Sequence, residues 1–391
     1  MIEGENIECE VTSTEPSTKR PYYFQLDVLK AIAIAFVVMD HSLTWEIKGA
    51  MGSVFWERLS IPFFLIVMGF NMGMSFKYRN AKNLLDLYSM EYFKRKIKRY
   101  ILPFIILYIA SILLGITLGY LSTSEYLMLG FLPFWGPGNW FIPLLFGSIL
   151  VFPIIYWLFL KQPVLAIALC FLCELAMQAI LWFLYPVAMI PFNAFIITAI
   201  RVNIIFYLPA AGLGLWFSKG FDMSDRRNLI VYPYFVFSLF FMFDYSTGIV
   251  SSLPGVIGQK MSIIQEFIRG DYTLFFYGYA GFFFLLAMVS LPQTASGIFQ
   301  KIIERVGKSS YHILLFQIFW MSIVYWNISQ TAAIEHYIPD FAAELGWPSL
   351  WFYVPFYLLN LAVSFTGGMI WYEAENRFLY KNKPKTDSIM L

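Results

Sequence analysis

The chain has 391 residues, of which 59% are hydrophobic and 13% are Asp, Glu, Lys or Arg, and its mean hydropathy is +0.65. A soluble domain typically carries about 25% charged residues, so too little polar surface remains to cover a water-soluble fold of this length. The formal net charge of +2 leaves no electrostatic footprint for nucleic acid, and the three cysteines form no disulfide framework.

The first 22 residues are polar, contain Pro16, Lys19, Arg20 and Pro21, and lack the short apolar core of a cleaved signal peptide. They read as a disordered cytoplasmic tail. Apolar runs of spanning length follow near 24–45, 54–75, 100–121, 139–160, 163–184, 194–217, 230–245, 273–291, 310–330 and 350–373, against a requirement of about 20 residues per span. Cys170 and Cys173 spell a C-x-x-C pair inside the fifth run. In a lipid-buried helix with no second pair they read as small packing residues, and no metal site is expected. Between runs seven and eight, Ile257, Met261, Ile264 and Ile268 recur at helical spacing. They predict a short interfacial helix that either roofs an outward cavity or packs on the bundle. A tail of 376–391 closes the chain. No internal repeat supports an inverted-repeat transporter.

With the N-terminus inside, outside segments hold only Lys48, Arg58, Lys260 and Arg269. Lys30 and Arg201 lie within spans, and the remainder of the 27 Lys and Arg residues fall inside. This is the positive-inside pattern. The expected fold is an all-α polytopic membrane helix bundle of about ten transmembrane helices, spanning 23–375, with both termini cytoplasmic.

Ionisable residues within spans are costly and are candidates for function. The first run carries Asp27, Lys30, Asp40 and His41, the fifth Glu174 and the sixth Arg201. Eleven residues at about 100° each bring Lys30 and His41 onto one helix face, roughly 16 Å apart along the axis. Asp27, three residues before Lys30, shares that face and can pair with it. Asp40 points about 100° from His41, which argues against an Asp–His dyad within the helix. A histidine near the outer end of a span is either an interface residue or a general base, its ordinary pKa being about 6.5. Glu174 and Arg201, at similar depth on neighbouring antiparallel runs, read as a buried ion pair, and His336 as an exposed loop residue.

The segment from Tyr22 to Ser42 resembles the opening helix of the membrane acyltransferase 3 family. The hallmark of that family, a basic residue, ten residues and a histidine, is matched by Lys30 and His41 after Leu26-Asp27. Ile61-Pro62-Phe63-Phe64-Leu65 through Gly69-Phe70 is similar to its second helix. The run from Lys94 to Pro103 is similar to its basic stretch, and Asn139-Trp140-Phe141-Ile142-Pro143 to its W-F segment. Gly307-Lys308-Ser309-Ser310-Tyr311 through Phe316 is similar to its S-Y helix. Two positions depart from the pattern. Lys30 stands where Arg is commoner, keeping the charge without the bidentate fork, and Gln317 stands where the family often has a histidine.

The resemblance implies O-acylation of a cell-envelope carbohydrate, lipid-linked glycan or related hydroxyl compound by cytoplasmic acyl-CoA, commonly acetyl-CoA, in the inner or plasma membrane. His41 would be the general base, or would itself carry the acyl group in transit. Lys30, with Asp27 orienting it, and the basic residues Arg95, Lys96 and Arg99 would hold the donor, whose phosphates suit charge-assisted contacts. Positive-inside bias alone would also give such a basic loop. Asn139 and Trp140 are candidate substrate contacts. A transporter or flippase of an envelope precursor is the competing reading. It predicts charges near the midplane of several helices, and it predicts that flux survives His41→Ala.

Overall fold

The computed structural model describes residues 21–79, 83–118, 136–185, 191–268, 272–329 and 349–380. Most of the two predicted tails, and His336, lie outside these residues. Every regular element among the described residues is helical. In chain order they are α1 (Phe24–Asp40), α2 (Trp45–Ala50), α3 (Ser53–Lys77), α4 (Leu84–Leu87), α5 (Met90–Lys96), a π-helical turn (Ile97–Ile101), α6 (Leu102–Thr117), α7 (Phe141–Lys161), α8 (Pro163–Leu184), α9 (Pro191–Arg201), a 3-10 turn (Ile204–Tyr207), α10 (Leu208–Phe217), α11 (Val231–Thr247), α12 (Val256–Phe267), α13 (Tyr277–Ser290), α14 (Ile298–Lys308), α15 (Ser310–Ser329) and α16 (Ser349–Tyr380).

Each of the ten predicted runs contains helix. Five helical segments are long and apolar enough to cross a bilayer, those of α3, α6, α7, α8 and α16, and α9 with α10 makes a sixth if counted as one span bent by 45°. α1 and α11 have 17 residues and α13 has 14, shorter than the roughly 20 that a perpendicular span requires.

α3 is the centre of the bundle. It packs against α1, α10 and α13, and 78% of its most apolar stretch is buried, against 28% for α6 and α8 and 17% for α16. On α6, Ile105, Ile109, Leu113 and Ile116 recur every three or four residues and are exposed, the pattern of a stripe facing hydrocarbon. Helix association within lipid depends on close packing rather than on removal of apolar surface from water. The α3–α10 crossing meets that demand: a Cβ at Gly69 would lie 1.9 Å from the Ala211 carbonyl oxygen, and one at Gly214 would lie 1.9 Å from that of Ile66. Only glycine permits backbones this close. Cys170, free and fully buried, packs against Gly212 of α10, where a Cβ would lie 3.3 Å from its Sγ.

The predicted short helix is present as α12. Gln265 donates to Asp244 Oδ2 at 2.8 Å, and Asp244 Oδ1 accepts from the Val250 and Ser251 amides at 2.6 and 3.1 Å. Trp182 of α8 meets Phe267 at a ring separation of 5.8 Å. α12 therefore packs on the bundle. α14 adds a second amphipathic helix that periodicity reading passed over, with Ile298, Phe299 and Ile302 exposed beside Lys301 and Arg305.

The expected Glu174–Arg201 ion pair is not formed. Glu174 is fully buried and accepts the Leu274 amide at 2.7 Å, whereas Arg201 is exposed at the end of α9, just before the bend. Depth arithmetic on a straight helix could not anticipate that break.

Candidate active site

α1 begins after the extended residue Tyr23, with the acidic residue Asp27 in its first turn, where a carboxylate complements the helix dipole. Asp27 is buried, accepts the Tyr22 hydroxyl and holds Lys30 Nζ at 2.6 Å, the pairing that the three-residue spacing predicted. At the other end α1 stops at Asp40. His41 caps it with φ −84° and ψ −4°, and the residue is 7% exposed, turned into the bundle.

Lys30 lies on the wall of a cavity of about 180 Å³. Arg79, Arg95, Lys96 and Arg99 line it too, with Asn71, Ser75, Ser148 and Ser310. The cavity follows α3 from Phe64 to Phe76, a rise of roughly 18 Å. Its polarity is graded: cations and hydroxyls gather at one end, whereas Phe64, Val67, Phe141, Leu145 and Leu314 form the other. Several basic groups are held in place. Arg95 pairs with Glu91 at 2.8 Å, and Lys96 lies 5.2 Å from the centre of the Tyr100 ring. The π-helical turn carries Lys98, Arg99 and Tyr100 between α5 and α6. Such turns shift the helix register and recur at functional sites.

Arg79, just past the end of α3, was not singled out by sequence reading. Its guanidinium lies 5.9 Å from the Tyr92 ring centre, and Nη1 is buried without a hydrogen-bond partner among the described residues. Burial, and then the nearby Arg95 charge, pull its pKa below the ordinary value. The available signal was only its place as the first basic residue after the long apolar helix.

His41 lines a second cavity, of about 20 Å³, with Asp40, Ser60, Trp140 and Tyr272. Trp140 stacks between Tyr207 and Tyr272 at ring separations of 5.6 and 6.0 Å. Asn139 sits in the turn before α7, its carbonyl accepting the Ile142 amide at 3.0 Å, and forms no part of this wall. Asp40 Oδ2 lies 3.7 Å from His41 Nδ1, closer than an ideal helix would put them, because His41 stands beyond the last helical residue. Asp40 Oδ1 also accepts from Lys48 Nζ at 2.6 Å, so a carboxylate and a buried ammonium back the imidazole.

The two cavities share two wall residues, Phe141 of α7 and Leu314 of α15. Helical period puts Lys30 and His41 on one stripe. The structure sets them on adjoining chambers with a two-side-chain partition between. Among the described residues, no cluster of His, Cys, Asp and Glu is arranged to hold a metal.

Basic residues, an apolar stretch and an imidazole thus line two neighbouring cavities. The family model described as an acyltransferase domain, that of the acyltransferase 3 family, matches residues 23–369. No curated protein and no solved structure matches the chain. The match spans nearly the whole chain and joins a set of bilayer-length apolar helices: this chain is a multi-pass membrane protein that belongs to the acyltransferase 3 family.

Proposed function

We propose that the protein is an O-acyltransferase that takes an acyl group, commonly acetyl, from cytoplasmic acyl-CoA and places it on a hydroxyl of a cell-envelope carbohydrate or lipid-linked glycan. The observation that carries this reading is the pair of adjoining chambers along α1, one ringed by Lys30, Arg79, Arg95, Lys96 and Arg99, the other holding His41. The charged end suits the donor's phosphates, and the apolar throat suits its thin pantetheine arm. The partition at Phe141 and Leu314 is where a thioester carbon would meet an acceptor oxygen.

In this reading His41 removes the proton of the acceptor hydroxyl. The hydroxyl oxygen forms a bond to the thioester carbonyl carbon, and the carbonyl electron pair moves onto its oxygen. Collapse of that intermediate breaks the carbon–sulfur bond. The departing CoA thiolate takes the proton from His41, leaving an O-ester and a CoA thiol. Asp40 steadies the imidazolium that forms between these steps, and Trp140 offers an aromatic face to a sugar ring.

The test is mass spectrometry of envelope glycans and lipids from cells with and without the gene. Loss of an ester-linked acyl group in the deletion strain, restored by the intact gene, supports the assignment. An unchanged set of envelope molecules would remove it.

A further inference from the structure

We infer that Gln317 of α15 is a third reacting group of this site, donating from its carboxamide to the thioester carbonyl oxygen as negative charge builds there. The inference rests on the acyltransferase reading and extends it to a residue that the general base leaves unaccounted for.

Gln317 is fully buried, and neither its Nε2 nor its Oε1 has a hydrogen-bond partner among the described residues. A buried amide with both ends unsatisfied is expensive, and replacement by an apolar side chain would remove that expense. Its location gives it a use. Leu314, one helical turn earlier on α15, is a wall of the His41 cavity. Across that cavity Gly138 has φ +87°, a conformation glycine adopts at little cost. The space a Cβ would take at Gly138 lies 3.2 Å from His41 Nε2 and 3.7 Å from Gln317 Oε1. One small volume thus adjoins both the proton acceptor and the idle amide. Rotating the amide by half a turn exchanges Oε1 for Nε2 without moving the backbone, so the N–H can face the same point. A donor fixed in a dry site before the charge develops lowers the barrier without reorganisation.

Gln317→Met is close to isosteric and removes both polar atoms. Purified protein in lipid nanodiscs is assayed with acetyl-CoA and envelope glycan extract, following CoA thiol release, with thermal unfolding measured on the same samples. The expected result is a kcat about 10²–10³-fold lower, an unchanged KM for acetyl-CoA and an unfolding temperature equal to or above that of wild type. Gln317→His, which keeps a ring N–H, should retain kcat within about tenfold of wild type, the range one hydrogen bond spans. Wild-type turnover in Gln317→Met would overturn the assignment. So would a drop in unfolding temperature with an unchanged kcat, which would mark the amide as structural. Absence of turnover in wild type, by contrast, would count against the acyltransferase reading itself.

Discussion

The two chambers along α1 differ in almost every physical respect. The one at Lys30 is large, about 180 Å³, and is ringed by five cations and several hydroxyls. The one at His41 is about 20 Å³, with aromatic walls and a single imidazole. In the proposed reading the charges at the first would share one polyanion, and each is partly satisfied by a carboxylate or a ring. At the second, a single nitrogen has no substitute. In the proposed reading binding is distributed and chemistry is concentrated, so substitutions in the two chambers should fail in different ways.

The largest effect is expected from His41→Ala. Loss of the proposed general base should lower kcat by about 10²–10⁴-fold while leaving acetyl-CoA affinity intact, as isothermal calorimetry with the purified protein would report. A parallel loss of binding would dissolve the distinction between the chambers. Lys30→Met should come next. It strands the buried Asp27 carboxylate, for which a loss of about 3 kcal/mol of stability is expected, and it weakens the donor site. Adding Asp27→Asn should recover the unfolding temperature but not the affinity, which separates the structural part of the ion pair from the binding part.

Leu314→Ala tests the partition. Truncation should cost about 2–3 kcal/mol in thermal or denaturant unfolding, and the joined chambers should admit longer donors, raising kcat/KM for butyryl-CoA relative to acetyl-CoA. An unaltered chain-length profile would mean that the partition does not govern acyl size. Arg79→Ala should be mildest. One charge-assisted contact among several is worth about tenfold in KM, with kcat untouched and with a shallower dependence of KM on salt.

Much of this arrangement was legible in the sequence because it follows helical period. Asp27, Lys30 and His41 share a stripe by arithmetic alone, and α12 followed from four apolar residues. What escaped detection depends on places where helices stop or break. Asp40 approaches His41 because the helix ends between them. Glu174 and Arg201 part because the bend after Arg201 changes the direction of the chain. Arg79 lies outside any periodic segment, and its cavity is assembled from α1, α3, α5, the π-helical turn, α7 and α15, which no single stretch of sequence displays. Gln317 was visible only as a departure from the resemblance, since an unsatisfied amide is a property of three-dimensional surroundings and not of the residue.

The contact of α3 with α10 at Gly69 and Gly214 has a mechanical consequence. With main chain pressed on main chain, neither helix can slide by a fraction of a turn without a collision, so the middle of the bundle is stiff. In the proposed reading, carrying an acyl group past Phe141 and Leu314 then calls for rotation of two side chains, a matter of nanoseconds where side chains are free to turn, rather than the rocking of whole helices over microseconds to milliseconds.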